Sequence, residues 1–373
     1  MKNRILAVCV LLALVMAAAV YLWPREEVKR ECPASPETGR WYWVAPEGAV
    51  NSDGTTWRGQ LKLGRENKVM VYLLGGGVSL DAYSASQSYT AVGNAAFYYD
   101  RDDGVSDARL KNGITSGDEL NPFRDWTTIV VPYTTADFHA GAGQANYTAQ
   151  DGSNAVIYHN GYVNCMALLE KLRPLVGEPD ALLITGYSAG GFGAAMLAQD
   201  IIGYFPETEN ITVCVDGALL VNENWDSVAR NRWHASEKIV ERMTTGNLSL
   251  DHLTTLHEVR GDVKILFTCS IRDGGLAKYQ SYIEGNAYAP SEEYGDVMEE
   301  NLRETVAALQ EKIPGCGVYI WDDIAYSKEG TLTRHTILTN PAVFRNMEGA
   351  SIAAWMHDAV EGRVENYGLE LLE

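Results

Sequence analysis

The sequence predicts an α/β protein with a mostly parallel central sheet. Eight short apolar runs with β-strand character occur along the 373 residues, and segments with helical spacing separate them. This alternation is typical of sheets flanked by helices. No internal repeat or second domain boundary is evident, so residues 40–373 are predicted to form a single domain.

The predicted strands are 41–45, 57–63, 69–75, 127–133, 181–187, 211–218, 264–270 and 317–322. The first two alternate between polar and apolar residues, which predicts antiparallel pairing at one edge, whereas the later ones are solidly apolar. The predicted helices are 155–173, 189–203, 225–242, 296–312 and a segment near 341–360. The polar stretches 78–126 and 274–295 are predicted to be insertions above the sheet, where substrate-shaping loops commonly lie.

The N-terminus has the pattern of an export signal. Lys2 and Arg4 precede an uncharged apolar run at residues 5–23, with small residues near its end. Because a run of this length can also span a bilayer, residues 1–23 are predicted to be a signal peptide or an N-terminal membrane anchor. The charged, proline-containing stretch 24–39 is predicted to be a linker. The expected location is extracytoplasmic: secreted, periplasmic or tethered at the cell surface.

The composition argues against several classes of partner. The 49 acidic residues outnumber the 30 basic ones, giving a formal net charge of -19, whereas nucleic-acid binding needs a basic surface. The six cysteines are widely spaced and predict neither a disulfide framework nor a metal site. The acidic loop 98–107 lacks the spacing of a calcium loop. No nucleic acid, metal or cofactor is therefore expected.

A Gly-x-Ser-x-Gly sequence, residues 186–190, joins the fifth predicted strand to the next helix. A serine hydroxyl is a weak nucleophile unless a base takes its proton and fixed donors stabilise the oxyanion. In this strand–turn–helix context the glycines allow a sharp turn that exposes the serine. Ser188 is therefore predicted to be the nucleophile of an α/β-hydrolase fold; the alternative is an ordinary serine in a glycine-rich corner.

In this fold an acid and then a base follow the nucleophile, each after a later strand. Asp273 follows the seventh predicted strand and His335 the eighth, so Asp273 is predicted to orient His335 as the base. Asp216, after the sixth strand, is an alternative acid, whereas Asp322 and Asp323 are more typical of turn residues. The other histidines lie outside the expected loop: His139, His159, His234, His252, His257 and His357.

Three consecutive glycines follow the third predicted strand. An oxyanion hole takes one backbone N–H from the residue after the nucleophile and another from this loop. Glycine allows the closest approach of the backbone to a substrate oxygen. Gly76, Gly77 and Ala189 are therefore the predicted donors; the alternative is a plain glycine turn. No dinucleotide or phosphate fingerprint accompanies the run.

Seven stretches together match one family pattern: 51–64, 72–77, 121–141, 158–172, 184–194, 268–280 and 334–338. With its NPF…W…VPY segment and its SAGG turn, the chain resembles the pectin acetylesterase/Notum family over about residues 40–345. The resemblance implies an extracytoplasmic serine esterase with an α/β-hydrolase fold. It also implies a catalytic triad of Ser188, Asp273 and His335.

The chain departs from the plant and animal members of that family. These commonly carry tryptophan and cysteine after the glycine pair, together with many disulfides, whereas "VSLDAYS" follows here and cysteines are sparse. A bacterial branch is indicated. The negative charge counts against polygalacturonate as the substrate, unless a local basic groove overrides it.

The predicted function is hydrolysis of an acyl ester, with acetyl on a glycan as the first expectation. A lipase-like deacylase for longer acyl chains is the alternative within enzymes, and a catalytically silent carbohydrate-binding protein is the alternative outside them. Aromatic residues of the two insertions could line an acyl pocket or a sugar-stacking cleft: Tyr83, Tyr89, Phe97, Tyr98, Tyr99, Tyr279 and Tyr282.

Overall fold

The computed structural model describes residues 30–102, 109–323 and 330–373. All eight apolar runs become strands. In chain order the described strands are β1 (Trp41–Val44), β2 (Gly59–Lys62), β3 (Lys68–Leu73), β4 (Thr127–Val131), β5 (Gly143–Thr148), β6 (Asn154–His159), β7 (Ala181–Tyr187), β8 (Ile211–Asp216), β9 (Lys264–Ser270) and β10 (Gly317–Trp321).

Eight strands form one sheet in the order β1-β2-β4-β3-β7-β8-β9-β10. The pairs from β4 to β10 are parallel, whereas β2 is antiparallel to both β1 and β4. Every residue of β7 and β8 is buried, as expected for central strands covered on both faces. The α/β class, the mostly parallel sheet and the antiparallel edge are confirmed.

The described helices are α1 (Ala82–Ala85), α2 (Tyr89–Val92), α3 (Gly161–Val176), α4 (Ala189–Ile202), α5 (Trp225–Val228), α6 (Glu237–Val240), α7 (Leu248–Val259), α8 (Gly274–Ile283), α9 (Glu292–Lys312) and α10 (Ile352–Val360). The helix α4 packs on β3, β7 and β8, while α10 packs on β8 and β9. Because the central strands are parallel, their carboxyl ends meet at one edge of the sheet. The candidate site lies there.

The helix predicted over 155–173 is wrong at its start. Residues 154–159 form β6, which pairs antiparallel with β5 in a separate two-stranded sheet, and α3 begins only at Gly161. The residues of β6 include valine, isoleucine and tyrosine, which favour strands. The strand β5 was not predicted, because its residues are largely polar and form no apolar run.

Other segments also differ from the predictions: α9 begins at Glu292 and not at 296, and α7 was not predicted. The segment 225–242 is interrupted by a π-helix (Ala229–Trp233) and by His234, whose φ is 52°. The segment 341–360 begins with a 3₁₀ turn and is α-helical only in α10. The predicted insertion 274–295 contains α8, because the Asp273 carboxylate caps its first turn. Each difference arises from capping or local backbone geometry that apolar periodicity does not record.

The predicted signal or anchor at 1–23 and the linker residues 24–29 lie outside the described residues. From residue 30 onward the linker runs beside the sheet, with the Cys32 N–H donating to the Trp43 carbonyl at 2.9 Å. In the part of the chain that the structure describes, no helix has the length and apolarity needed to cross a membrane.

Candidate active site

Ser188 forms the turn between β7 and α4. Its φ of 52° and ψ of −126° lie in a region that residues other than glycine rarely adopt. Its N–H donates to the Asp216 carbonyl at 2.7 Å, and its carbonyl accepts the N–H groups of Gly191 and Phe192. A strained strand-to-helix turn of this kind is typical of a nucleophile elbow.

Both glycines of the motif are required by close approach of the backbone. A Cβ on Gly186 would lie 2.1 Å from the Gly190 carbonyl oxygen, and one on Gly190 would lie 2.0 Å from that of Leu73. Contacts this short with backbone oxygens exclude any side chain at either position unless the backbone itself moves. The motif therefore packs the start of α4 against β3, and this contact fixes the place of Ser188.

The structure brings Asp273 and His335 together, as the order of the strands predicted. The Asp273 Oδ2 lies 2.8 Å from the His335 Nδ1. The Asp273 side chain is fully buried, and its Oδ1 accepts the N–H groups of Gly275 and Leu276. These bonds and the N-terminus of α8 stabilise a buried carboxylate. A carboxylate at Nδ1 orients the imidazole and favours a proton on Nδ1, the arrangement in which Nε2 can accept a proton.

The alternative acid, Asp216, has a different set of partners. Its Oδ2 accepts the N–H groups of Ile337 and Leu338 at 2.8 and 2.9 Å, in the segment directly after His335. Its carbonyl holds the Ser188 N–H. Asp216 therefore braces both the nucleophile turn and the histidine loop, while Asp273 is the carboxylate that pairs with His335.

Burial raises the pKa of Asp216 to about 7, against the opposing effect of the two N–H donors. A buried carboxyl with a raised pKa favours folding while it is protonated, and this stability is lost as the pH rises from the unfolded value through 7. Between pH 5 and 8, wild-type protein should lose about 3 kcal/mol of unfolding free energy relative to Asp216→Asn. Urea unfolding at both pH values measures the difference, and equal losses in the two proteins would contradict it.

Ser188 and His335 line one pocket of about 270 Å³. Gly76 and Gly77 lie in its wall, and Ala189 begins α4 beside the serine. Gly77 has a φ of 91°, and a Cβ there would lie 1.9 Å from the Phe97 carbonyl oxygen. The first N–H groups of a helix have no partner within the helix. Two of the predicted oxyanion donors thus line the pocket of the candidate nucleophile, and the third follows it directly in the chain.

A buried hydrogen-bond network contacts the backbone directly before the glycine loop 75–77. Ala136, Phe138 and His139 all have positive φ, between 51° and 63°. The Asp137 carboxylate holds this strained turn by accepting the Thr135 hydroxyl and the N–H groups of His139 and Gly161. Burial lowers the pKa of His139 to about 4, so the ring is neutral and donates from Nε2 to the Leu74 carbonyl at 2.9 Å.

Sequence reasoning missed two cations in the pocket wall, Arg109 and Lys278. Arg109 lies in a polar insertion, where no periodic pattern marks it. Lys278 lies on α8, in a segment predicted to be a loop, with its Nζ over the rings of Tyr279 and Tyr288. Burial lowers the pKa of Lys278. Both side chains place positive charge beside the candidate nucleophile of a strongly acidic protein.

A second, wider cavity of about 830 Å³ adjoins the first. The two share Asn94, Phe97, Gly275 and Lys278 in their walls. The wider cavity adds mostly apolar and aromatic side chains: Tyr83, Tyr288, Pro290 and Leu332. Phe97 stacks on Tyr288, with ring centroids 3.7 Å apart. Of the aromatic residues expected near the site, Tyr83 and Phe97 line this wider cavity, whereas Tyr282 lines neither cavity. The others line the pocket at Ser188: Tyr89, Tyr98, Tyr99 and Tyr279.

The structure shows no metal-binding cluster of His, Cys, Asp or Glu among the described residues. The described cysteines are unpaired: Cys32, Cys165, Cys214, Cys269 and Cys316. Burial raises the pKa of the Cys165 thiol to about 12.

A family model described as Pectinacetylesterase matches residues 45–254. The chain belongs to the pectinacetylesterase family. The matched range contains the glycine loop and Ser188 but ends before Asp273 and His335. Membership of this family supports a hydrolase that acts on acyl esters, and the predicted resemblance is confirmed.

Among solved structures, this pectinacetylesterase family member is similar to the Wnt deacylase Notum from Drosophila. The TM-score is 0.60 at 16% identity, over 87% of this chain and 95% of that one. At this identity the likeness shows the fold alone, which confirms the predicted α/β-hydrolase fold. A search of curated proteins found no match.

Proposed function

We propose that this protein is an exported serine carboxylesterase that hydrolyses a short acyl ester, foremost acetyl, on a glycan. The observation that carries the proposal is the arrangement of Ser188, in its strained turn, and the Asp273–His335 pair around one pocket. Family membership supports the same reaction class. Export rests on the pattern of residues 1–23 alone, and fractionation of expressing cells tests it.

The reaction follows from these groups. The Ser188 Oγ attacks the ester carbonyl carbon while the His335 Nε2 takes its proton, and the N–H groups of Gly76, Gly77 and Ala189 stabilise the oxyanion. Collapse of this intermediate breaks the ester C–O bond, and His335 returns the proton to the departing alcohol. A water then attacks the acyl-enzyme with His335 as base. The carboxylic acid leaves, and Ser188 regains its proton.

The residues that line the two cavities favour a short acyl group. The pocket at Ser188, about 270 Å³, is lined by five tyrosines and by Arg109 and Lys278, so a long alkyl chain would lie against polar groups there. The adjoining 830 Å³ cavity combines aromatic faces with polar groups from Gln87, Asn94 and Lys278. Aromatic faces with flanking hydrogen-bond donors suit a sugar ring, so we assign this cavity to the alcohol part of the substrate.

A second candidate is a deacylase for longer chains. Its support is the apolar character of the wider cavity, where Phe97, Tyr288 and Leu332 could enclose an acyl chain. The Notum structure, a Wnt deacylase by description, has the same fold. In this arrangement the alcohol would lie toward solvent.

A series of p-nitrophenyl esters separates the two candidates. We expect kcat/KM to fall about tenfold or more from acetate to octanoate, because the extra methylenes would displace water from the polar groups that line the pocket at Ser188. Replacing Phe97 by alanine, which widens the junction between the cavities, should reduce this discrimination. A kcat/KM that rises with chain length would instead favour the longer-chain deacylase.

A further inference from the structure

Each predicted oxyanion donor is the N–H of a peptide group whose carbonyl oxygen accepts a hydrogen bond. The Ala189 N–H shares its peptide with the Ser188 carbonyl, which accepts N–H groups of α4 at 2.8 and 3.1 Å. The Gly77 N–H shares its peptide with the Gly76 carbonyl, which accepts the Tyr99 N–H at 3.0 Å. The carbonyl and the N–H of a trans peptide point in opposite directions. A bond to the oxygen therefore fixes the direction of the N–H.

The third peptide is held by a charged side chain. The Gly76 N–H shares its peptide with the Gly75 carbonyl, which accepts the Arg109 Nη1 at 2.8 Å. The guanidinium lies over the rings of Tyr99 and Tyr187, 5.4 and 5.5 Å from their centroids. A charge-assisted bond is stronger than a neutral one, and it polarises the peptide so that its N–H is a better donor.

The glycine loop needs such an external anchor. A Cβ on Gly75 would lie 2.8 Å from the Ser188 Cβ and 2.5 Å from the Tyr187 carbonyl oxygen. No side chain at this position can therefore anchor the loop from within. A chain of three glycines is otherwise the most flexible backbone available, and an oxyanion hole requires donors with fixed directions.

We propose that Arg109 is a positioning residue of the oxyanion hole, holding and polarising the Gly75–Gly76 peptide so that the Gly76 N–H faces the developing oxyanion. This inference rests on the proposed esterase function. In this assignment the Arg109 guanidinium acts on the backbone of the oxyanion hole and does not bind an anionic group of the substrate.

Kinetics with a neutral ester test the assignment. With p-nitrophenyl acetate, Arg109→Gln should lower kcat by roughly 10- to 100-fold with little change in KM. The Ki of an alkyl boronic acid, which forms a tetrahedral adduct on serine, should weaken in parallel. Arg109→Lys keeps the charge and should recover part of the kcat. Arg58→Gln is the matched control, because that guanidinium also lies over an aromatic ring, 4.6 Å from Trp43, but lines neither cavity.

The outcomes are distinct. If Arg109→Gln, folded as shown by circular dichroism, keeps the wild-type kcat and boronate affinity, the positioning role is overturned. A loss confined to esters that carry a carboxylate, seen in KM, would make Arg109 a substrate-binding residue instead. A wild-type protein that neither hydrolyses esters nor reacts with a fluorophosphonate would overturn the proposed function, and with it this inference.

Discussion

Replacing Ser188 by alanine is expected to reduce kcat for acetyl ester hydrolysis by at least about 10⁴-fold while leaving the protein folded. Removal of a triad nucleophile costs factors of about 10⁶ in the best-studied serine hydrolases. The turn itself should persist, because the bonds that hold it are made by the Ser188 backbone and not by its hydroxyl. Steady-state assays with p-nitrophenyl acetate and a thermal melt measure both effects.

Ser227→Ala is the matched control for this variant. Ser227 lies on α5, and its hydroxyl accepts only the Asn231 side-chain amide among the hydrogen bonds of the described residues. Removal of the Ser227 hydroxyl should leave kcat unchanged. Retention of more than a tenth of the wild-type kcat by a folded Ser188→Ala protein would rule out the serine as the nucleophile.

The second large effect concerns stability. Gly190→Ala should lower the free energy of unfolding by on the order of 3 kcal/mol, because the new Cβ would lie 2.0 Å from the Leu73 carbonyl oxygen and must push α4 away from β3. Alanine is otherwise the better helix former by about 1 kcal/mol. Because helix propensity alone would stabilise the variant, a lower free energy of unfolding can be attributed to the steric contact. Urea denaturation monitored by tryptophan fluorescence measures it.

Gly203→Ala provides the control at the other end of the same helix. Gly203 has a φ of −60°, and a Cβ there would lie 3.2 Å from the Asp200 carbonyl oxygen and 3.8 Å from that of Gln199. This substitution should change the unfolding free energy by less than about 1 kcal/mol. Equal stability of the two variants would show that the motif glycines are not packed as described.

The sheet was predictable because its strands are buried on both faces, so that burial appears directly in the sequence as apolar runs. The hairpin of β5 and β6 was not, because β5 is largely polar and the short apolar stretch of β6 runs directly into the helical pattern of α3. The helix α8 was also missed. Its first turn depends on the cap supplied by Asp273, a residue that the sequence marked for another reason.

The order of strands predicts that Ser188, Asp273 and His335 lie at one sheet edge, because parallel strands end on the same side. Arg109 had no comparable signal. Its partner is a backbone carbonyl 34 residues away along the chain, and only the three-dimensional path of the insertion brings the two together. The bracing contacts of Asp216 were hidden for the same reason, since they too join side chain to distant backbone.

Rapid quenching of the wild-type reaction with p-nitrophenyl acetate, followed by peptide mass mapping, tests the role of Ser188 most directly. Acyl transfer through the serine predicts a burst of p-nitrophenol and one acetylated peptide carrying the modification on Ser188. Pretreatment with a fluorophosphonate should label the same residue and abolish the burst. Ester turnover that continues with Ser188 unmodified by either reagent would contradict the mechanism.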